Sequence, residues 1–365
     1  MDPLAHTLLG ATMAESGLRD RSPLATATLL VGVNLPDVDA LVTVLGTDAS
    51  LHYRRGVTHG VLSMVVSPLM LCGLVLLWDR YMRRKRAPDR SPARFQALLP
   101  LAYLSVLSHP LLDWLNNYGV RLLSPFTNEW FYGDSVFIVD PWLWLLLAAS
   151  VVLARSETKP TKVAWLVLAL LASALVTAVN MVPPIAKVAW LLAIIAMLFM
   201  RVRTGALGSG KRLERIRFTA RVCLLVVGVY VVGAVSLTHH VQRLALEALR
   251  ADGVVQVVVA PSPARPLARE VIAVTASEYR FYDYDWFTTP PLNPTEAAPM
   301  LRGERSAAVE RALIARPGMA QWMRLPAFHE ERTPFGVRVR IEDARYARSS
   351  APIGRAVVEL ADELE

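Results

Sequence analysis

Long charge-free apolar runs alternate along this chain with short, polar and mostly basic connections. No Asp, Glu, Lys or Arg occurs in Gly60–Trp78, Phe95–Leu112, Val163–Ala186 or Val222–Gln242, and Pro141–Ala154 and Val188–Met200 are shorter runs of the same kind. A helix that crosses a bilayer needs about 20 mostly apolar residues, with a range of roughly 17–25. The long runs reach that length, and the short ones reach it once their flanks are included. Ahead of them, residues 4–18 and 22–35 read as two short helices joined by the charged turn Arg19-Asp20-Arg21. The second ends at Pro36, because the residue before a proline is pushed out of the helical region. A PDVD turn, an apolar piece to Leu45 and a polar loop to Thr58 follow. The Phe95–Asn117 segment is expected to kink at Pro110, where a backbone donor is missing.

The pattern changes after about residue 243. Residues 254–260, 270–282 and 337–346 are rich in β-branched residues and partly alternating, as strands are, and residues 304–315 suggest a helix. The fold class expected is therefore an all-α polytopic membrane helical bundle with a C-terminal soluble α+β domain. Residues 1–155 form the membrane-embedded domain, 156–242 add transmembrane helices, and 243–365 form the soluble domain. A composition 54% hydrophobic fits the membrane class better than an ordinary soluble domain.

Charge adds an orientation. The net charge is +8, with −1 from residue 241 onward and +9 before it. Arg80–Arg94 and Arg201–Arg221 hold seven Lys/Arg each and Arg155–Lys162 holds three, whereas Lys187 stands alone between Val163 and Met200. This is the positive-inside pattern, so the basic character does not point to nucleic acid. With the basic loops cytoplasmic, His59, Asp113 and Asp140 fall at the extracytoplasmic ends of their helices. His6 joins them if the first two helices form a hairpin, and the last span places the C-terminal domain outside. The N-terminal stretch lacks the basic region of a signal peptide and reads as a retained helix. Cys72 and Cys223 both lie in apolar runs, which suggests buried thiols rather than a disulfide or a thiolate metal site.

Against this apolar background the ionisable residues stand out. They are His6, Asp37 and Asp39 in PDVD, Arg55 and His59 in RRGVTH, His109 and Asp113 in SHPLLD, and Asp134 and Asp140 in GDSVFIVDP. A charge at a helix centre costs roughly 2.5–3.5 kcal/mol on insertion scales, so several in one region suggest a ligand that stabilises them. His109 and Asp113 are spaced i, i+4 and share a helix face. Asp37 and Asp39 flank one residue, which lets both face one cation, or else they form an ordinary Asx turn or cap. Thr58 reads as a helix cap before His59. Arg54 and Arg55 are either headgroup anchors or, for Arg55, a fork for an anionic substrate. Asp140 precedes Pro141 and can equally cap a helix. Trp130 and Tyr132 read as interface anchors, and His239, His240 and His329 as structural or solvated. Acids and imidazoles without Cys suit zinc, manganese or another first-row divalent ion. An acid left over from coordination, such as Asp134 or Asp140, can serve as general base.

At these residues the chain resembles the YdjM-like family of bacterial inner-membrane proteins, described as metal-dependent hydrolases. The pieces MDPLAH, GVNLPDVDAL, RRGVTHGVL, SHPLLDWLNNYG and WFYGDSVFIVDPW carry the resemblance, in that order, over roughly residues 1–145. It implies that His6, Asp37, Asp39, His59, His109 and Asp113 are the metal ligands, with Asp140 and Arg55 in matching motifs. The expected function is a multi-pass inner-membrane hydrolase with a divalent metal, zinc first. It would act at the extracytoplasmic face on an ester or phosphoester of a small-molecule or lipid substrate, anionic in character. The alternative is a non-enzymatic metal-binding membrane scaffold or sensor. An ion transporter fits less well, because residues 163–240 offer few polar groups within the spans.

Overall fold

The computed structural model describes residues 1–349 and 353–361, which form two compact units. The first takes in residues 1–38, 57–235 and 263–266, and the second takes in 39–56, 236–262 and 267–361.

In the first unit, α1 (Pro3–Glu15) starts at Asp2, whose carboxylate accepts the N–H of Ala5, with Pro3 at the first helical position. That combination satisfies one orphan amide and presets the backbone. A short 3-10 turn over Leu18–Arg21 leads to α2 (Ala25–Gly32), and Leu35–Leu45 then winds as a 3-10 segment. α4 (Val61–Trp78) continues through a π-helical turn, Asp79–Arg83, into the one-turn α5 (Arg84–Arg86). α6 (Phe95–Trp114), α7 (Pro141–Arg155), α8 (Lys159–Ala178), α9 (Pro184–Gly205) and α10 (Ser209–Ala248), whose residues from Ser236 on belong to the second unit, complete the helices.

Among the described residues five helices are long and apolar enough to cross a membrane: Val61–Arg86, α6, α8, α9 and α10. The bent pair α2 and Leu35–Leu45 adds a sixth if it is one span. α7, at 15 residues, is shorter than that class. It rises about 22 Å, and ten of its residues are buried. It packs against α1, α8 and α9. The run Val163–Ala186 does not form one helix. It breaks at residues 179–183, where Pro183-Pro184 starts α9, so Lys187 sits in the first turn of α9 and its Nζ donates to the Thr177 carbonyl at 2.6 Å. Pro110 lies inside a continuous α6, together with Pro100.

The basic connections gather at one end of this unit. Arg94 donates to the Arg21 carbonyl, Arg155 pairs with Glu15 at 2.9 Å, Arg217 pairs with Asp20 at 2.6 Å and Arg221 donates to the Ser16 carbonyl. The loop from α6 to α7 is tied to the opposite end. Gly133, Ser135 and Val136 donate their backbone N–H groups to the Trp114 and Leu115 carbonyls at 2.6–3.0 Å, satisfying carbonyls that the end of a helix leaves open.

The second unit carries two antiparallel sheets. β1 (Gln256–Ser262), β2 (Arg265–Val274), β3 (Glu278–Asp285) and β4 (Leu292–Pro294) lie in that order, with β5 (Met300–Leu301) also paired to β3. β6 (Pro326–Thr333), β7 (Gly336–Asp343) and β8 (Arg355–Ala361) form the other sheet. The run 270–282 splits into a hairpin, with Val274 opposite Tyr279. The unbroken apolar stretch in β1 follows from burial of both faces. Val257 and Val259 pack with Leu237, Val241 and Ala245 of α10, while Val258 packs with Ile272, Phe281 and Leu325. α11 (Ala307–Ala315) and α12 (Pro317–Trp322) precede the second sheet. The unit also recruits residues 39–56, read from sequence as a turn, an apolar piece and a polar loop. They contain α3 (Thr47–Tyr53), and both carboxylate oxygens of Asp48 accept N–H groups of α12, from Gly318 and Met319, at 3.0 Å. A Cβ on Gly318 would lie 1.9 Å from the Asp48 carbonyl oxygen, so only glycine permits that approach.

Candidate metal centre

Four side chains from three segments converge in the first unit: Asp37, His59, His109 and Asp113. Close helix packing brings them together. A Cβ on Gly32 would fall 2.0 Å from Ser105 Oγ, and one on Gly10 would fall 2.7 Å from Val33 Cγ2. Small residues at these crossings let α2 sit tight against α6 and α1, which carries the Val33 carbonyl onto α6. There His109 Nδ1 lies 2.6 Å from it. A carbonyl only accepts, so Nδ1 carries the proton, and Nε2 is the nitrogen turned toward the cluster.

His59 is oriented in a parallel way. Thr58 Oγ1 lies 2.9 Å from its Nδ1, leaving Nε2 to face His109 Nε2 at 3.2 Å. The helix cap of α4 is Gly60, not Thr58; the threonine hydroxyl contacts the imidazole. His59 Nε2 also lies 3.3 Å from Asp113 Oδ2 and 3.9 Å from Asp37 Oδ1. His109 Nε2 lies 3.6 Å and 3.7 Å from the same two oxygens. All four donor atoms fall within 4.8 Å of one another, and the two histidines and Asp113 are buried.

The separations of 3.2–3.9 Å around the two Nε2 atoms are close to what one small divalent ion would require. Zinc–ligand bonds of about 2.0–2.2 Å in a tetrahedron hold the donors roughly 3.3–3.6 Å apart. Two carboxylates and two neutral imidazoles also balance a 2+ charge, which removes the penalty for burying the acids. The outer partners of the histidines, Val33 and Thr58, are the kind that fix tautomer and ring direction around a metal.

The other residues singled out from sequence take different places. His6 is fully buried, its Nε2 is 3.3 Å from Asp113 Oδ1 and its ring stacks on His109 at 3.7 Å between centroids. The amino group of Met1 also contacts Asp113 Oδ1. These two contacts occupy Oδ1 and leave Oδ2 for the cluster. Asp39 is turned away from Asp37 by the 3-10 winding, in which residues two apart differ by about 240°. Its Oδ2 accepts the N–H of Arg55 at 2.9 Å, and its Oδ1 lies 3.8 Å from Arg54 Nε. Asp140 caps α7, accepting N–H bonds from Trp142 and Leu143, and its other oxygen takes the Tyr230 hydroxyl at 2.7 Å. Arg55 and Asp134 are buried with left-handed backbones, at φ 54° and 51°. Such conformations persist in side-chain-bearing residues only where the surroundings enforce them.

A comparison with known families matches the YdjM inner membrane protein family over residues 1–183, half of the chain and every residue of the cluster. The chain belongs to this family. It is similar to the uncharacterized protein YfhP of Bacillus subtilis (strain 168), at 21% identity over 170 residues, covering 44% of this chain and 48% of YfhP. The match thus spans about half the length of that relative. No solved structure matches.

The matched residues 1–183 include the four cluster residues, but single residues around them were not legible as site residues. Val33 contributes only a carbonyl, and Gly32 and Ser105 act through the space they leave. Thr58→Val removes the hydroxyl from His59 Nδ1 at nearly constant volume. It is expected to lower divalent-metal affinity by roughly 10–100-fold, as loss of an outer-shell partner does, without lowering the helical content. A competition titration against a colorimetric chelator measures this, and unchanged affinity would show that Thr58 does not orient the ring.

Proposed function

We propose that this protein is a membrane-bound hydrolase that uses a divalent metal to cleave an ester or phosphoester at the extracytoplasmic face. The observation that carries the reading is the convergence of Asp37 Oδ1, His59 Nε2, His109 Nε2 and Asp113 Oδ2, with both imidazoles held by Nδ1 partners. The donor set supports zinc or a related first-row ion, because nitrogen and oxygen ligands without thiolate are common in catalytic sites, whereas many structural zinc sites rely on cysteine. When bound, such an ion polarises a substrate oxygen and lowers the pKa of a water to about 7.

The chain's own residues supply the rest. His59 and His109 would offer Nε2 to the ion, and Asp37 and Asp113 would neutralise its charge. His6, against Asp113 Oδ1, positions that carboxylate. Asp134, buried and fixed by the 133–136 loop, is the acid we assign to accept the proton from water. Arg55 is assigned to an anionic oxygen of the substrate, which its planar fork suits. Asp140 has both oxygens engaged and is assigned to holding the start of α7. The basic loops at one end of the unit support a cytoplasmic placement for that end, and hence an extracytoplasmic placement for the cluster. A site at that face would lie within reach of lipid and envelope-derived substrates, which we assign as the substrate class.

Full-length protein in detergent, assayed on phospholipids and on small phosphoesters and carboxylic esters, is expected to turn over one class. That activity should vanish with chelator and return with zinc or manganese. Arg55→Ala is expected to raise KM for anionic substrates more than it lowers kcat. Stoichiometric metal binding without turnover of any ester class would favour the scaffold reading instead.

A further inference from the structure

An apolar groove of about 700 Å³ runs between α7, α8 and α9, away from the histidines of the metal centre. That volume is within the range of about 300–1,000 Å³ typical of small-molecule sites. Its lining runs from Trp144 to Ser156 on α7, from Lys162 to Ser173 on α8 and from Trp190 to Val202 on α9. At 1.5 Å per residue each stretch rises about 17–18 Å, a little over half of the roughly 30 Å hydrocarbon core and so about one leaflet.

The two ends of the groove differ. Leu4 and Leu8 of α1 and Trp144 of α7 close the far end with apolar surface. Lys162 and Arg201 stand at the other, where Arg201 is braced by donating through Nε and Nη2 to the Ser156 hydroxyl and carbonyl. Their neighbours are neutralised: Arg155 pairs with Glu15 at 2.9 Å and Arg212 with Glu157 at 2.7 Å. Among the described residues no carboxylate pairs with Lys162 or Arg201. Two cations without counter-charge therefore mark the mouth of a leaflet-length apolar slot. Basic sites between helices at the cytoplasmic membrane surface bind anionic lipid headgroups.

We propose that this groove is a binding site for one anionic phospholipid of the leaflet on the basic side, with an acyl chain along α7–α9 and its phosphate between Lys162 and Arg201. The site is independent of the metal reading, since none of the four metal-cluster residues lines it.

The test is native mass spectrometry of the full-length protein in detergent, with phosphatidylglycerol or phosphatidylcholine of matched chains added. Each cation near a surface anion contributes roughly fivefold in affinity, so phosphatidylglycerol should be retained roughly 25-fold more strongly. Lys162→Glu, at an exposed position, should lose at least that fivefold while keeping its metal content and circular dichroism. Ala169→Trp fills the slot without touching the charges and should lower retention of both lipids. Equal retention of the two lipids by the unaltered protein, or retention unchanged in both variants, would overturn the proposal. So would protection of the groove by a second copy of the chain, seen as crosslinking through Ala169→Cys.

Discussion

Asp113→Ala and His109→Ala are expected to purify with less than a tenth of the divalent metal carried by the unaltered protein. Each removes a donor from a set of four whose atoms lie within 4.8 Å of one another. The loss should exceed the roughly 10–100-fold drop in affinity that follows removal of an outer-shell partner. Asp113 has the larger expected effect, because it supplies Oδ2 to the cluster while Oδ1 engages His6. Its loss also leaves Asp37 as the only carboxylate of the four and removes the charge balance for a 2+ ion. Metal content by elemental analysis is the first readout and thermal stability the second. Added zinc at 100 times its Kd should stabilise the unaltered protein by about 2.7 kcal/mol and leave Asp113→Ala unmoved. His329→Ala, in β6 of the second unit, is the control and should retain its metal. Equal metal in Asp113→Ala and the unaltered chain would remove the proposed centre.

The second large effect lies in the other unit. Asp343 and Arg345 are fully buried side chains joined by hydrogen bonds of 2.8–3.1 Å, and the guanidinium lies 4.7 Å above Trp322. Asp343 also accepts the N–H groups of Arg324 and Arg345. Burial pushes the Asp343 carboxyl up, but the Arg345 charge and these hydrogen bonds more than offset it and hold the group below its ordinary value. Arg345→Met leaves the carboxylate buried without its partner, which costs about 3–5 kcal/mol. Because the folded pKa is lowered, the stability from this group is present above the unfolded value of about 3.9 and is lost as pH falls through the folded one. The gap between Arg345→Met and the unaltered protein should therefore be widest near neutrality and narrow below about pH 4. Urea-dependent proteolysis of the full chain, followed at sites within residues 243–349, reads both effects. A gap that does not change with pH would show that packing on Trp322, not charge, is what Arg345 contributes.

How much of this could be read from the chain alone differs from element to element. The long spans were visible because lipid demands uninterrupted apolar runs and tolerates charges only near the ends. α7 was read as a span from the same signal, although at 15 residues it is shorter than the spans and ten of its residues are buried; hydropathy does not distinguish lipid from protein as the apolar neighbour. The hairpin within 270–282 was merged because its turn, Thr275-Ala276-Ser277, holds no Gly, Pro, Asn or Asp, and cross-strand pairing of Val274 with Tyr279 divides it. His109 and Asp113 were legible as a pair because a helix fixes which residues share a face.

By itself the sequence determined the apolar periodicity, the basic bias of alternate loops, the switch to strand-like residues near 243 and a set of acids and imidazoles that includes the four of the cluster. These are local properties, set by residue type and by spacing along one helix or strand. Only the tertiary structure separated Asp37 from Asp39, assigned Asp140 to a helix start, gave residues 39–56 to the second unit and turned two histidine rings through the Val33 carbonyl and the Thr58 hydroxyl. Those outcomes depend on which backbone comes within about 3 Å of which side chain, and that depends on close crossings such as Gly32 on Ser105, which a linear pattern does not encode.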